Sequence, residues 1–540
     1  MFTSKTLRLF NYLVFASLAL FVALTFRQYG ISNDEEVQHV YGRRLLDFYA
    51  SGFADQSAFH YRNLYLYGGF FDLIAAGIER LLALPADSVW IWDMRHLLSA
   101  LFGLGGILAA YKTARIFGGE RAGLFAVVLL SVTGTWAGAM FTHTKDIPFA
   151  ACMAWASYYI ILISQELPKP RLSLGIKLGI AVGCALGLRV GAGFAVLYLL
   201  LVVFYAMLCQ PGTIRQKLQY LVKAFLALIP AGVVAWLLMA LFWPWGVMSP
   251  EHPLEAVRSF SHFTFNMLTV MDGDVMNIGD VPRSYLLAYL TVRLPEIFLL
   301  GLLAAAFLGI RYFYRIHPCD TFFLAWIGLL LAALFPLAFA LWDKPALYNG
   351  IRHFTFVLPP LAVIAAIGLS KAWEALRAYP KSRLAGGAVS AALLLNTLFI
   401  FMELHPYQYV YYNHLAGNIK EAEKEWEGDY WSSSIREAAL MLDKKIGDGK
   451  HPDNGIYDTP YRVAVCAESI QADTYLDHDF QITSDWISAD FFISSTNMNC
   501  DKVLQGKIIG KVERLGVVLA VIKDRRDLLA HQRRPHPAPN

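Results

Sequence analysis

Runs of about 18 or more apolar residues recur along this chain, each long enough to cross a 30 Å hydrocarbon core as a helix. Backbone in such a core must satisfy its own hydrogen bonds, so a chain of this kind crosses as helices or as a closed barrel. By the length measure there are about eleven such runs. They centre near Leu18, Gly105, Leu129, Ala154, Ile180, Leu199, Val234, Leu302, Gly328, Ala362 and Leu393. Composition agrees, because 56% of the 540 residues are apolar and only 16% are charged, against roughly 45–50% and about 25% in a soluble globular chain. That excludes a disordered protein, a nucleic-acid binder built on a basic surface, and most soluble enzymes. The first run lacks a small-residue cleavage site after Phe26, so it reads as a retained span.

The net charge of +4 matters less than its distribution. Short loops on the cytoplasmic side carry the excess of Lys and Arg. With the N-terminus inside, the cytoplasmic groups are Lys5 and Arg8; Lys112, Arg115 and Arg121; Lys169 and Arg171; Arg215, Lys217 and Lys223; Arg311 and Arg315; and Lys371, Arg377, Lys381 and Arg383. Asp34, Glu35, Glu36, Asp146, Asp272, Asp274, Asp280 and Asp343 fall outside. An odd number of spans then leaves the C-terminal region outside.

The first external loop, residues 27–93, holds two amphipathic stretches, Val37-Tyr41-Leu45-Phe48 and Phe71-Ile74-Ile78-Leu82, which suit helices lying in the headgroup plane. A twelfth span is the other reading of the second, and Asp72, Glu79 and Arg80 argue against it. A second long external loop, residues 247–293, ends in Tyr285 and Tyr289, which fit an interfacial aromatic belt. After Phe401 charges and turn residues return. Short apolar strands at Tyr461–Val465, Phe491–Ser494 and Val517–Ile522, with a helical pattern at Ile435–Leu442, read as a small external α/β domain. The division is therefore a transmembrane domain over 1–402, an external domain over 403–524, and a Pro- and Arg-rich disordered tail over 525–540. Cys152, Cys184, Cys209 and Cys319 read as small core residues. Cys466 and Cys500 are the disulfide candidates of the external domain.

The unusual polar residues gather at external helix ends rather than at mid-span, where a pump would place them. Asp34 and Glu35 open the first external loop, and His39 shares a helix face with Glu35. Adjacent carboxylates raise each other's pKa and suit a general base, although a helix start also favours acids as caps. The loop Thr142-His143-Thr144-Lys145-Asp146 precedes Pro148 at another helix start. Lys145, Arg189 and Arg352 are external cations where the charge rule disfavours them. A lone interfacial Arg ordinarily snorkels to headgroups. Three such cations near an acidic loop suit an anionic lipid phosphate as leaving group and a hydroxyl as nucleophile.

These features resemble the GT-C class of membrane glycosyltransferases, and within it the protein O-mannosyltransferases and the aminoarabinose transferases of lipid A. Asp34-Glu35, the His143–Asp146 segment, Arg352-His353 ahead of Pro359-Pro360, Tyr411-Tyr412-Asn413 and Asp429-Tyr430-Trp431 carry the resemblance. It implies a glycosyltransferase, moving a hexose or pentose from a polyprenyl-phosphate donor to a hydroxyl on a lipid-linked glycan, a cell-envelope glycan such as lipid A, or a protein. It implies Asp34 as base, Glu35 in support, and Asp146 placing acceptor or metal. Lys145, Arg352 and His353 would hold the donor phosphate, and Arg189 joins them by its depth and side. Metal use differs within that class; a divalent metal, where one is used, would fall to Asp34, Glu35, His39 and His143, with the two histidines as ligands or bystanders. Attack by the acceptor oxygen on the anomeric carbon, through an oxocarbenium-like transition state, inverts that centre. A departure is the loop of about 45 residues between spans seven and eight, too short for a folded domain. A transporter or flippase for lipid-linked sugars is the alternative, which would call for inverted repeats and broken mid-membrane helices. No Asn-x-Ser/Thr sequon occurs, which favours a bacterial inner membrane with a periplasmic C-terminal domain.

Overall fold

The computed structural model describes residues 4–261, 267–313, 316–447 and 460–532. Its main helices in chain order are α1 (Ser4–Thr25), α2 (Glu35–Ala50), α3 (Phe70–Leu81), α4 (Val89–Ser131), α5 (Asp146–Ser164), α6 (Leu172–Leu186), α7 (Gly193–Leu208), α8 (Ile214–Phe242), α9 (Tyr285–Arg293), α10 (Glu296–Phe313), α11 (Thr321–Asp343), α12 (Leu358–Ala375), α13 (Pro380–Leu404) and α14 (Ile435–Ile446). Eight helices among the described residues are long and apolar enough to cross a membrane, or nine when the bent pair α9–α10 is one span. The chain is an integral membrane protein.

The expected eleven runs and these eight helices differ for physical reasons. Two of the runs, around Gly105 and Leu129, share α4. That helix is not straight, because Gly119 holds φ 67 and ψ −165, a conformation a side chain resists. In an unbroken helix Tyr111 and Gly123 would stand about 18 Å apart. Instead, a β-carbon on Gly123 would lie 2.7 Å from the Tyr111 ring, and the Tyr111 hydroxyl donates to Glu120 at 2.8 Å. The chain therefore doubles back at Gly119 as a helical hairpin. The Ile180 run falls in α6, which has only 15 residues.

The bend between α9 and α10 is 116°. Leu294 is extended, as a residue before proline prefers, and Pro295 follows it. The carbonyls freed there are not left bare. Asn413 Nδ2 donates to the Thr291 and Leu294 carbonyls, both at 2.7 Å. The buried Arg293 guanidinium donates in turn to the carbonyls of Tyr409, Tyr411 and Glu427.

Two expectations for the external loops change. The apolar face of α2 is turned into the protein, with Tyr41, Leu45 and Phe48 buried, rather than laid on lipid. Tyr285 and Tyr289 are also buried, Tyr289 edge-on to Trp426, and do not form an interfacial belt. Both belong to the main core, and they touch a hairpin of β1 (Leu268–Met271) and β2 (Asp274–Asn277), Tyr285 through Thr269 and Tyr289 through the Val270 carbonyl.

The C-terminal region carries a five-stranded mixed sheet. Its strands are β3 (Tyr461–Cys466), β4 (Phe480–Ile482), β5 (Phe491–Ser495), β6 (Lys507–Arg514) and β7 (Val517–Asp524), in the order β4-β3-β5-β7-β6. β3 runs parallel to β4 and β5, and β7 runs antiparallel to β5 and β6. Helix α14 buries Ile435, Ala438, Ala439 and Leu442, a spacing that lays one face on the sheet. The same core takes in Ile31 and Trp92, so the sheet region is seated on the end of the bundle that carries Asp34. Cys466 and Cys500 are joined, with Cα atoms 6.4 Å apart. Cys209 and Cys319, expected as core residues, are also joined, with Cα atoms 5.2 Å apart. In the stretch expected as a disordered tail, Arg526–Gln532 is helical, and residues 533–540 lie outside the described residues.

Gly119→Ala is expected to destabilise the protein by about 1–3 kcal/mol, the cost of a side chain in that backbone region. A thermal unfolding scan in detergent measures it, and an unchanged midpoint would count against a hairpin built on this residue.

Candidate active site

Four breaks in helical structure meet at one end of the bundle. Asp34 precedes α2, and its carboxylate makes no capping hydrogen bond. It reaches instead to the Arg352 guanidinium, Oδ2 to Nη2, at 2.7 Å. Arg352 opens a short 3₁₀ turn, Arg352–Val357, that leads into α12. Its Nε lies 3.4 Å from Asp146 Oδ2, at the start of α5. The other oxygen of Asp146 takes Arg189, which stands in extended backbone just after α6. The result is an alternating row, Asp34–Arg352–Asp146–Arg189. The Asp34 side chain is 42% exposed, whereas that of Asp146 is 4% exposed.

Aromatic rings frame the row. Arg352 lies 4.2 Å from the Trp431 ring centroid and 5.3 Å from that of Tyr348. Lys145 is buried, with Nζ 4.0 Å from the Tyr67 ring. Burial pushes the Lys145 ammonium down to about 8, against the opposing pull of Asp72. Cation–ring contacts of this kind strengthen as water is removed. His353 meets Tyr348 edge-on at 4.6 Å, and its buried Nδ1 has no hydrogen-bond partner in the described residues. Thus Lys145, Arg189, Arg352 and His353, all expected at the site from sequence, converge with Asp34 and Asp146.

The loops are held from outside the row. Thr144 Oγ1 donates to Gln38 Oε1 on α2 at 2.6 Å. Ser32 Oγ donates to the Thr142 carbonyl at 3.2 Å. The Phe70 amide donates to the Gly187 carbonyl at 2.8 Å, which fixes the turn before Arg189. From the sheet region, Gln471 Nε2 donates to the carbonyls of Ile31, Trp431 and Ser432, so it straps the Trp431 segment to the loop leading into Asp34. Asp429 accepts from the Ser433 and Ser434 amides ahead of α14 and from the Tyr409 hydroxyl. Burial pushes its carboxyl up, and those hydrogen bonds oppose the shift.

Glu35, His39 and His143 depart from their expected roles. The Glu35 carboxylate is fully buried and faces away from the row. It accepts from Ser32 N and Oγ and lies 3.1 Å from His96 Nε2. His39 pairs with Glu79 at 2.8 Å rather than with Glu35. His143 stacks on Tyr430, with centroids 5.9 Å apart, beside Tyr409 and Trp431. Burial pushes His143 down to about 3, which keeps its ring neutral. Asp34, Glu35, His39 and His143 therefore do not converge as metal ligands. Among the described residues the one three-group cluster with ligand spacing is Asp477-His478-Asp479, remote in sequence and exposed or partly exposed. Trp431, Tyr348 and Tyr67 carry no expected role from sequence. The one signal for Tyr348 is its spacing of four from Arg352, and nothing local in sequence marks Tyr67.

Residues 88–237 match the family model described as dolichyl-phosphate-mannose-protein mannosyltransferase. The chain has the fold of the GT-C membrane glycosyltransferases. It is similar to the crystal structure of ArnT from Cupriavidus metallidurans bound to undecaprenyl phosphate, at 14% identity and TM-score 0.50, over 95% of this chain and 97% of that one. The apo form of the same protein matches at 16% identity and TM-score 0.49 over the same shares. An archaeal oligosaccharyltransferase, AglB from Archaeoglobus fulgidus, matches at 11% identity and TM-score 0.47, over 90% of this chain and 69% of that one. No curated protein matches by sequence. The resemblance to the mannosyltransferase and aminoarabinose transferase branch thus holds in fold and in the matched segment.

Asp146→Ala would leave Arg189 and Arg352 facing each other in a buried setting. Removing one partner from a buried ion pair costs about 3–5 kcal/mol. Thermal unfolding of the purified variant measures the loss, and a midpoint equal to wild type would contradict the row.

Proposed function

We propose that this chain transfers a hexose or pentose from a polyprenyl-phosphate donor to a hydroxyl acceptor, with inversion, at the outer face of a bacterial inner membrane. The observation that carries the reading is the row with Lys145 beside it: one half-exposed carboxylate, Asp34, near three cations that are buried or nearly so. Asp34 removes the acceptor hydroxyl proton as the oxygen bonds to the anomeric carbon. The bond from that carbon to the phosphate oxygen breaks, and its electron pair leaves on the lipid phosphate. Arg352, Lys145 and Arg189 stabilise the growing charge, in a setting where few waters screen them. Asp146 keeps two of these guanidinium groups in place. No step is assigned to a metal ion.

An apolar slot supports a lipid donor. A cavity of about 1290 Å³ lies between α9–α10, α11 and α12. Leu290 and Leu294 line one end, Trp326, Leu337 and Ile364 its middle, and Lys371 the other end. The bend at Leu294-Pro295 lies in its wall, and α9 reaches the segment 348–352 where the Gly350 amide donates to the Tyr285 hydroxyl at 3.1 Å. The likeness to a structure bound to undecaprenyl phosphate agrees with that occupant. The acceptor is a lipid-linked glycan, a cell-envelope glycan or a protein.

A panel of synthetic polyprenyl-phosphate hexoses and pentoses, incubated with the full chain in membranes, tests the reading by release of polyprenyl phosphate. Asp34→Asn should lower release by about 10²–10⁴, the usual contribution of a general base, while polyprenyl-phosphate binding persists. Transfer retained in Asp34→Asn would remove Asp34 as the base. A second prediction concerns pH. Lys145 is charged below about 8 and neutral above it, so polyprenyl-phosphate affinity should fall as pH rises through that value. Lys145→Arg, which stays charged, should abolish the fall. An affinity that is flat across this range in wild type would remove Lys145 from the phosphate site.

A further inference from the structure

The two helices of the first external loop enclose a second polar cleft, separate from the row. They press together where Gly42 meets the Asp72 backbone and where His39 meets Glu79. The cleft has a volume of about 400 Å³ and is lined by Arg43, Asp47, Ala76, Glu79, Arg80 and Leu84. Arg43 and Asp47 stand four apart on α2, and Ala76, Glu79 and Arg80 are spaced by three and four on α3. Each helix therefore turns one charged face towards the cleft.

Two members of this charge set, Asp47 and Arg80, do little for the fold. Asp47 and Arg80 line the same cleft, yet their side chains make no ion pair or hydrogen bond with each other or with any other described residue. Glu79 is 6% exposed, a carboxylate taken out of water. Its Oε2 is occupied by His39, and its Oε1 has Arg43 at the long distance of 3.8 Å. The rim is apolar. Leu81 is 83% exposed and Leu82 is 58% exposed, and Trp90, at the start of α4, lies open under the Arg27 guanidinium at 3.8 Å. Open leucines and a Trp–Arg stack are the furniture of a membrane–water boundary, where apolar side chains meet acyl chains and charges meet headgroups.

An anion alone in this cleft would face two carboxylates, and a cation alone would face two guanidinium groups. A molecule with both signs a few ångströms apart satisfies all four. We propose that the cleft binds the headgroup of a membrane phospholipid bearing a phosphate and a primary ammonium. The phosphate lies on Arg43 and Arg80. The ammonium lies on Asp47 and on Glu79 Oε1, which the long Arg43 contact only partly occupies. The acyl chains leave over Leu81 and Leu82. This lipid is neither donor nor acceptor. It fixes α2 and α3 against the bilayer, and Asp34 lies at the start of α2.

Native mass spectrometry of the full chain, after delipidation in detergent and titration with phosphatidylethanolamine or phosphatidylglycerol, tests the proposal. Wild type should retain phosphatidylethanolamine at least about fivefold better, the value of one exposed charge pair near 1 kcal/mol. Asp47→Asn should erase that preference, and Arg80→Ala should weaken retention of both lipids. Because neither side chain is paired, both variants should melt as wild type does, which separates lost binding from lost folding. Equal retention of the two lipids by wild type would overturn the proposal, as would unchanged retention in Asp47→Asn or Arg80→Ala.

Discussion

A guanidinium buried at the end of an apolar bundle must be neutralised where it stands, and Arg352 is neutralised from two directions. Asp34 arrives from the first external loop and Asp146 from the start of α5. Charges withdrawn from water lose several kcal/mol of solvation each, so the geometry holds only when partners are fixed before the charge is buried. That condition explains the surrounding ties. Thr144 to Gln38, Ser32 to the Thr142 carbonyl, and Phe70 to Gly187 each lock one loop to its neighbour. The rings of Tyr348 and Trp431 contact the remaining faces of the cation. Trp431 in turn depends on Gln471 from the sheet region. The sheet region is thereby joined to the site, through one side-chain amide and one ring.

The helices make this possible by breaking only where the freed backbone finds partners. Lipid offers none, so irregular backbone is confined to ends and to protein-lined cavities. The break at Leu294-Pro295 obeys that rule, because Asn413 donates to the Thr291 and Leu294 carbonyls beside it, and Arg293 holds the segment that carries Asn413 through the Tyr409 and Tyr411 carbonyls. The same break bends the span and lies in the wall of the apolar slot. The turn after α6 also obeys it, and places Arg189 beside Asp146. The hairpin at Gly119 lies at the opposite end, where Glu120 collects Arg8, Arg115 and the Tyr111 hydroxyl. Opposite ends of one bundle thus carry two different charge clusters, one on the basic side and one on the acidic side of the sorted loops.

The row was legible in sequence because cations on the wrong side of a charge-sorted chain are conspicuous. Lys145, Arg189 and Arg352 violate one simple rule, and the structure brings all three together with Asp34 and Asp146. The spans were legible for a similar reason, since length and apolarity decide them. Glu35 was not, because adjacency to Asp34 suggests a shared task. On a helix successive side chains point about 100° apart, so Glu35 turns inward to Ser32 and His96 while Asp34 faces out. The partner of His39 is hidden from the same kind of spacing argument. Its neighbour at i−4 was visible in sequence, but its actual partner, Glu79, is forty residues away. The buried face of α2 and the burial of Tyr285 were hidden because amphipathicity shows that a face is apolar and not what covers it.

The unequal exposure of the two carboxylates decides how the row could serve a reaction. Arg352 holds both, yet the cost of letting each one go differs. Asp146 is almost wholly buried and has Arg189 as a second partner, so releasing it would strand charge on both sides. The half-exposed Asp34 can be taken up by water when it leaves, and Arg352 then keeps Asp146 as its remaining carboxylate. On the proposed function, an arriving lipid phosphate therefore displaces Asp34 from Arg352 and leaves the Asp146 pair intact. The freed carboxylate then faces the acceptor side with its lone pairs available, while the cation it left is turned to the leaving group. A single exchange of partners would both bind the donor and release the base. The difference between 42% and 4% exposure makes Asp34 the partner that leaves.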